Sequence, residues 1–369
     1  MATLFFVCLL TSYIFEDSDS LIVINDTLVI CGNHDYAKKI YITDSSMILV
    51  RPWLDGSDSL GRLFLHAPHI HLMNASTING SGRGCTGGTN TNPHGSGPGY
   101  GGAGNPGGGG GAAYGGDGGQ GGDNAPGSGG SSYGGRDDTL IEQGSGGGAG
   151  RLGVVDGFGG NGGASIMLRA QTITIDSSDI AALGTRGYDG SVEAGGGGAG
   201  GGIMLWADTI TIHTAFVRAP GGSGGDAKWG GGGGAGGGRI KIFHTSTIDT
   251  ADVHFAVTGG AAGTGMYGIP APGSAGSIYI GPVLGIHNAT GQSIQTVRFF
   301  PSITRSMIYV KATHATVCLQ LYDCCGRLVT NIWTADHAAR VDLSHLNAGV
   351  YFVHVPNVRE PLGTVIVCQ

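Results

Sequence analysis

Residues 166–184 of the chain are IMLRAQTITIDSSDIAALG, and two later segments align with them, 203–221 (IMLWADTITIHTAFVRAPG) and 240–259 (IKIFHTSTIDTADVHFAVTG). The starts of the three segments are 37 residues apart both times. A fourth start follows at Ile278, and a degenerate copy begins at Leu63. A fixed period of this size is typical of repeat architectures. Within each copy, apolar and polar residues alternate over short runs, which indicates β-strands and not helices.

Glycine tracts separate the copies, at 195–202 (GGGGAGGG) and 230–238 (GGGGGAGGG). A single copy offers only one layer of Ile, Leu and Val, so it cannot bury its apolar face alone, whereas stacked copies can. We therefore expect an all-β chain in which residues 16–288 form a parallel β-helix or a related β-solenoid with glycine-rich excursions. Residues 21–30 and 40–50 have the same strand pattern and are expected to supply the first rungs.

The longest glycine-rich segment is an insertion at 80–163, in which 38 of 84 residues are glycine. Such a segment buries few side chains, so the entropy lost on ordering its backbone favours a flexible loop. Alternatively, backbones without side chains can approach closely and hydrogen-bond laterally in a polyglycine II-like layer. The composition leaves both alternatives open for 80–163 and favours the ordered layer for the two shorter tracts.

Composition excludes several classes of protein. Charged residues make up only 12% of the chain and the net charge is −7, so the basic surface that nucleic-acid binding needs is not expected. No GxxxxGK[ST] phosphate loop occurs among the 76 glycines. The apolar run at 4–15 is shorter than the roughly 20 residues that cross a bilayer, so we expect a signal segment over residues 1–15 and no transmembrane span; a buried first strand is the alternative.

Candidate metal ligands are sparse. The seven cysteines include no CxxC pair, which argues against a structural zinc site. His66, His69 and His71 form HxxHxH, and the last two would share one strand face, the spacing that a ligand pair needs. With no third ligand placed, an exposed face with unrelated histidines is the favoured interpretation. Residues 222–226 (GSGGD) come closest to a calcium-binding turn but do not repeat. We expect no metal and no cofactor.

Two further groups of residues bear on function. The repeat region carries aspartates of the kind that act in pairs on glycosidic bonds, but the period places no two of them at one strand position on adjacent copies: Asp176, Asp179, Asp208, Asp226, Asp249 and Asp252. We therefore expect no enzyme. Aromatic residues among the glycines are expected at the tips of the excursions, where they could stack on sugars or enter a receptor: Tyr100, Tyr114, Tyr133, Tyr188, Trp229 and Tyr267.

From about residue 289 the glycine content falls and the chain becomes a series of short strand patterns with turn signals between them. Such a series favours a small antiparallel β-sandwich over 289–369. Three motifs follow in order, FPS at 300–302, LYDCCGRLV at 321–329 and VDLSHLNAGVYFVHV at 341–355. The DCCG at 323–326 and the NAG at 347–349 are turn signals inside the second and third motifs.

These three motifs resemble the C-terminal sorting domain of bacterial type IX secretion, in its Ig-like form. The residues that carry the resemblance are Pro301, Tyr322, Asp323, Gly326, Arg327, Asp342, Leu343, Gly349 and Tyr351. The resemblance implies a partnership with the bacterial secretion machinery and a destination outside the cell or on its surface. The glycine-tract repeats also resemble, in texture, the bacterial glycine-rich β-helix surface proteins described as adhesin-like.

We therefore expect an exported, secreted or cell-surface repeat protein that acts in adhesion or as a surface scaffold, without catalysis. A glycan or a cell-surface receptor is the expected partner. Two alternatives remain open: an extracellular β-helix polysaccharide lyase or hydrolase, and a purely structural surface-coating or ice-binding protein.

Overall fold

The computed structural model describes residues 12–53 and 60–282, and, beyond them, residues 286–287, 293–294, 298–300, 303–304, 307–311, 318–323, 327–333, 338–344, 346–354 and 363–367. The described residues contain β-strands and no helix, which confirms the all-β class. The chain divides into two compact units between Gly281 and Pro282.

Short strands make up the first unit. Their bounds are β1 (Tyr13–Glu16), β2 (Ser20–Ile24), β3 (Thr27–Ile30), β4 (Gly32–Asp35), β5 (Lys39–Thr43), β6 (Met47–Val50), β7 (Arg62–His66), β8 (His69–Met73), β9 (Thr77–Asn79), β10 (Gly150–Leu152), β11 (Val154–Gly157), β12 (Ser165–Arg169), β13 (Thr172–Asp176), β14 (Asp179–Ala181), β15 (Gly202–His213), β16 (Ala215–Arg218), β17 (Arg239–Asp249), β18 (Val253–Ala256) and β19 (Ser277–Pro282).

Most of these strands pair in parallel with the equivalent strand of the next copy. One series runs through β4, β7, β12 and the first halves of β15 and β17. A second runs through β2, β5, β8, β13 and the second halves of β15 and β17. Both lie in one eleven-stranded sheet, and a six-stranded sheet holds the third series, β3, β6, β9, β14, β16 and β18.

The pairing register follows the sequence period. Ile166 pairs with Ile203, and Ile203 pairs with Ile240. The degenerate copy joins the same series, because Leu63 pairs with Ile166. Residues 21–30 and 40–50 also pair in parallel, as β2 with β5 and β3 with β6. Alignment of the sequence copies therefore predicted the partners of these strands correctly.

Alternation along each strand sends every second side chain into one shared core. Ile166, Leu168, Ile203 and Leu205 are fully buried, and they belong to a single apolar cluster with the inward residues of the other two series. Each fully buried Ile or Leu contributes about 1.5–3 kcal/mol relative to an exposed one. Because like residues stack on like residues, the contact that one copy makes is repeated by the next.

The corner between the second and third series is shaped by local backbone geometry. One residue in each of several copies has a left-handed conformation there, with φ of 50° at Asn25, 49° at Ser177, 49° at Thr214 and 55° at Asp252. Beside them, Ser76 accepts a hydrogen bond from the Ser46 N–H (3.2 Å) through its hydroxyl. The Ser76 N–H in turn donates to the hydroxyl of Ser178 (3.3 Å). This buried serine ladder satisfies backbone donors that a tight corner leaves without strand partners.

The glycine tracts form a layer that is held by backbone hydrogen bonds. Successive N–H groups donate to three different neighbouring segments at 2.8–3.0 Å: Gly109 to Ala194, Gly110 to Gly102, Gly111 to Gly119, Ala112 to Gly197 and Ala113 to Gly99. Gly109 and Ala112, which are three residues apart, thus both donate to the 194–197 segment. Residues of the 80–163 insertion take part in this network, so the structure favours the ordered alternative over the flexible loop.

Close approach explains why the layer consists of glycine. A Cβ atom added to Gly110 would lie 2.0 Å from the Ser128 carbonyl oxygen, and one added to Gly236 would lie 1.9 Å from the Gly116 oxygen. Real Cβ atoms do not come that close to backbone atoms. Removal of the side chain is therefore the condition under which these backbones can bond to one another.

The predicted signal segment falls mostly outside the described residues, which begin at residue 12. Tyr13, Ile14 and Phe15 lie in β1, which pairs antiparallel with β2. All three side chains are exposed, so the alternative of a buried first strand is wrong for these residues.

The second unit holds the shorter strands β20 (Ile286–His287), β21 (Ser293–Ile294), β22 (Arg298–Phe300), β23 (Ile303–Thr304), β24 (Met307–Lys311), β25 (Cys318–Tyr322), β26 (Leu328–Trp333), β27 (Ala338–Asp342), β28 (Gly349–His354) and β29 (Gly363–Val367). Strands β22, β24 and β27 form one sheet, and β23, β29, β28, β25 and β26 form another. The expectation of purely antiparallel pairing needs one correction, because β23 and β29 are parallel. These two strands can pair in parallel because they are far apart in the chain and are not joined by a hairpin.

Candidate functional sites

A groove lies on the outside of the eleven-stranded sheet, where the chain passes from the first strand series to the second. We call it the corner groove; its volume is about 430 Å³, and its lining consists of Tyr36, Ala37, His66, Ala67, Pro68, Arg169, Ala170, Gln171, Trp206 and Asp208. The lining residues come from four successive copies. A site of this kind exists only when the copies are stacked.

Strand register brings the side chains of the groove together. His66 pairs with Arg169, and Arg169 pairs with Trp206, each at the last position of its strand segment in the first series. Since neighbouring strands are about 4.8 Å apart, side chains at one register position form a column. The column continues outside the groove through Phe243 and Tyr279, whose ring centroids are 5.3 Å apart. The Trp206 and Phe243 rings are 5.5 Å apart.

The polar groups of the groove differ in how far they are already engaged. His66 Nδ1 lies 2.8 Å from the Asp35 carboxylate, and the Thr245 hydroxyl donates to Asp208 Oδ1. The guanidinium of Arg169 lies 5.1 Å from the centroid of the Trp206 ring, an arrangement typical of a cation–π contact. The groove thus combines an aromatic face, a guanidinium, a carboxylate and an amide, which are the groups that recognise sugars and other polyhydroxylated molecules.

The three histidines singled out in the sequence are separated by their partners. His66 faces Asp35 and the corner groove, whereas the Nδ1 atom of His69 is 2.8 Å from the Thr172 hydroxyl. His71 lies on the same face of β8 as His69, and burial, with help from nearby His69 and Lys39, lowers the pKa of its imidazole. The described residues contain no group of three or more side chains arranged to hold a metal ion.

The glycine-rich segment at 222–226 places its aspartate in a structural role. Asp226 Oδ1 accepts hydrogen bonds from the backbone N–H and the hydroxyl of Thr264, at 2.6 and 2.8 Å. Its other oxygen lies 2.6 Å from Arg186 Nη2. These donors, with the Thr264 bonds first, lower the pKa of the Asp226 carboxyl. The side chain therefore ties neighbouring excursions together.

The aromatic residues expected at the excursion tips fall into two groups. Tyr100, Tyr188 and Tyr267 are 49%, 62% and 51% exposed, and Trp229 is half-buried with its ring 6.3 Å from that of Tyr267. The prediction is wrong for Tyr114, which is only 1% exposed.

Tyr114 is buried because the glycine layer leaves space for a large ring where side chains are otherwise absent. Its ring packs with Ala112 and Ala199, and its hydroxyl accepts a hydrogen bond from the Glu142 N–H at 2.9 Å. Half-buried Tyr133 contacts it with ring centroids 4.9 Å apart. Burial raises the pKa of both phenols.

The C-terminal motif residues mostly fix turns and hairpins. Asp323 accepts hydrogen bonds from the backbone N–H and the Nε of Arg327, at 2.9 and 2.8 Å, at the turn between β25 and β26. Asp342 Oδ1 accepts from the Ser344 N–H at 2.8 Å, directly before fully buried Leu343. Pro301 and Gly326 lie outside the described residues.

The remaining motif residues lie on or beside β28. The Tyr351 hydroxyl donates to the Asn347 carbonyl oxygen at 2.9 Å, and its side chain is 7% exposed. Tyr322 pairs with Phe352 across β25 and β28, so it lies near Tyr351, whereas Asp342 is in the other sheet. Gly349 begins β28, and a Cβ there would make only ordinary contacts.

An all-β protein with two compact units is the class that the fold defines. The family described as the secretion system C-terminal sorting domain matches residues 298–367, which confirms the resemblance carried by the three motifs. Comparison with curated proteins and with solved structures finds no match. The protein is secreted or attached to the cell surface, and its sorting domain connects it with the secretion machinery. The described residues include no helix suited to crossing a membrane.

Proposed function

We propose that the protein is a non-catalytic adhesion scaffold, exported by the type IX route, whose first unit coils as a β-solenoid and presents repeated contacts to surface glycans. The parallel, in-register pairing of three strand series supports the solenoid. Each series advances by one copy at a time, and the three series alternate along the chain in the same order.

The glycine layer supports the idea of a rigid display. A hydrogen-bond direction that recurs every three residues is the pattern of polyglycine II, an extended helix with three residues per turn. We propose that the excursions form such a layer beside the solenoid and hold their tips in fixed positions. Exposed Tyr188 and Tyr267 would then bind a large, repetitive surface with little loss of conformational entropy.

The observation that carries adhesion is the column of His66, Arg169 and Trp206, which come from successive copies and line one groove. The column that includes Arg169 and Trp206 opens into the corner groove. Sugar rings bind to such aromatic faces, and repeated weak contacts on one rod add up through avidity.

A glycan array probed with the full chain tests this proposal. We expect binding to a limited set of glycans with no change in their length. Binding to none of the arrayed glycans would contradict the proposal. Release of new reducing ends or of unsaturated products would favour the alternative of a polysaccharide-degrading enzyme. Asp208 is the carboxylate that lines the corner groove.

A surface that binds ice is a second candidate, and one observation favours it. Thr172 and Thr174 pair with Thr209 and Thr211 on the outer face of the eleven-stranded sheet. These hydroxyls repeat about every 4.8 Å across strands and about 6.6 Å along them, which makes a small regular array. Inhibition of ice recrystallisation by the full chain, lost in Thr174→Tyr, would support this candidate; no inhibition would remove it.

A further inference from the structure

Two grooves of the first unit have an arginine close to an aromatic ring, one within its lining and one beside it. The corner groove has Arg169 beside Trp206. A second groove, of about 310 Å³, is lined by Ala75, Ser76, Thr77, Ser177, Ser178, Asp179, Thr214 and Phe216. Beside it, the Arg218 guanidinium lies 5.2 Å from the Phe216 ring centroid. The two arrangements are alike in geometry, since 5.1 Å separates the corresponding groups of Arg169 and Trp206.

The two arginines differ in their anionic partner. Arg218 Nη2 lies 3.0 Å from Asp179 Oδ2, so the protein itself supplies the carboxylate. None of the ion pairs formed among the described residues includes Arg169. The carboxylate nearest in register, Asp35, is engaged with His66. The guanidinium of Arg169 is therefore available for a carboxylate from outside.

We propose that the corner groove binds an acidic polysaccharide, with a uronate carboxylate paired to Arg169 and the sugar ring lying on the face of Trp206. This inference rests on the proposed glycan-binding function and names the glycan class and the site. A planar guanidinium presents two parallel donors that match a carboxylate, and an indole face matches the C–H face of a pyranose ring.

The other lining groups suit the hydroxyl groups of the same ligand. Gln171 is exposed and offers both a donor and an acceptor, and Asp208 offers an acceptor oxygen. The groove volume of about 430 Å³ lies within the range of small-ligand sites, about 300–1,000 Å³, so it accepts a short stretch of a polymer.

The negative net charge of the chain makes binding of an acidic glycan dependent on Arg169. The net charge of −7 opposes long-range attraction of any polyanion, so binding must depend on the local cation. We expect affinity for an acidic glycan to fall when Arg169 loses its charge and to weaken as salt rises.

The test is a calorimetric titration of the full chain with oligogalacturonate. Neutral dextran and dextran sulfate are the comparison ligands. We expect oligogalacturonate to bind, dextran not to bind, and R169M or W206A to weaken oligogalacturonate binding at least about tenfold. R169K should retain part of the affinity, because it keeps the charge and loses the planar fork. R218M is the matched control and should bind as the wild type does, since Arg218 has its own carboxylate.

The outcomes separate this inference from the proposed function. Unchanged oligogalacturonate binding in R169M, or equal binding of dextran, would overturn the groove assignment while leaving glycan adhesion standing. Binding of dextran sulfate without oligogalacturonate would overturn the uronate assignment. If the full chain binds no glycan on the array either, the adhesion proposal itself fails. Unfolding curves of R169M and R169K show whether a loss of binding comes from a loss of fold.

Discussion

In the stacked strands, neighbouring copies touch through side chains, and Ile203 and Ile210 are fully buried between like residues. In the glycine layer, the same copies touch through their backbones, as where Gly200 N–H donates to the Gly236 oxygen at 3.1 Å. The strands derive their stability from apolar burial, which tolerates exchange of one apolar residue for another of similar size. The layer derives its cohesion from hydrogen bonds at distances that exclude a Cβ atom. One protein thus uses two ways of joining repeats, with opposite sensitivity to substitution.

Ile210→Ala should have the largest effect, because it leaves a cavity in the centre of the stacked core. Ile210 pairs with Ile173 on one side and Ile248 on the other, and it is fully buried. We expect a loss of about 2–5 kcal/mol of unfolding free energy, measured by urea denaturation followed by circular dichroism. Ile210→Val, the control that removes only one methylene group, should cost about 0.5–1.5 kcal/mol. Equal losses in the two variants would show that cavity size does not limit this core.

Gly236→Ala should come next, because the added methyl group meets backbone and not a movable side chain. The new Cβ would lie 1.9 Å from the Gly116 oxygen. We expect a loss of about 1–3 kcal/mol, the usual cost of overpacking, and faster cleavage of the layer in limited proteolysis. Gly122→Ala is the milder control within the same layer, since its Cβ would lie 3.1 Å from the Tyr267 oxygen, a contact that a shift of a few tenths of an ångström relieves. If both variants behave alike, close backbone approach is not what selects glycine here.

A buried carboxyl makes the layer sensitive to pH. Glu193 is fully buried, and burial together with the nearby Asp123 carboxylate raises its pKa to about 8. A carboxyl whose pKa is higher in the folded protein than in the unfolded chain binds its proton more tightly when folded. Its contribution to stability is therefore complete below the unfolded pKa and is lost as pH rises through the folded pKa.

We expect the stability of the wild type to fall between about pH 4.5 and about pH 8, by at most about 1.4 kcal/mol per pH unit for one proton. Glu193→Gln, which keeps the group neutral, should flatten this dependence in urea unfolding measured across the same pH range. An identical slope in Glu193→Gln and the wild type would contradict this account.

Asp226→Ala should have the smallest effect, because the ion pair with Arg186 and the two hydrogen bonds from Thr264 that it removes are all solvent-exposed. The side chains of Arg186 and Asp226 are 43% and 50% exposed. An exposed pair contributes about 0.2–1 kcal/mol, and water can replace its hydrogen bonds. We expect a loss within that range, decreasing in high salt. A loss as large as that of Gly236→Ala would mean that side chains at the tips, and not the backbone bonds, hold the layer together.

Sequence reasoning succeeded where the pattern is both local and self-complementary. The alternation in segments such as TITI requires strands, and the recurrence of Ile166 at Ile203 and Ile240 identifies each strand's partner, because like rows pack best on like rows. The YDxxGR motif likewise identifies its own turn, since Asp323 and Arg327 bond within the hairpin.

It failed where a residue's surroundings come from distant segments. Tyr114 looked exposed because its neighbours in the chain are glycines, yet its ring packs with Ala199 and lies 5.5 Å from the Arg239 guanidinium. The corner groove was missed because the insertion separates His66 from Arg169, so their shared position is hidden unless the degenerate copy is aligned residue by residue. The fourth residues of IMLR, IMLW and IKIF align with one another, and this alignment could have predicted that Trp206 lies beside Arg169.

The sequence alone predicts the strands, their pairing partners and the sorting motif. Each of these depends on contacts between similar segments or within one hairpin. Only the tertiary structure shows that residues 80–163 are ordered and which side chains surround Arg169. A glycine has no side chain that would specify which backbone segment it hydrogen-bonds to. Whether an arginine lacks an acidic partner can be determined only when the positions of all its neighbours are known.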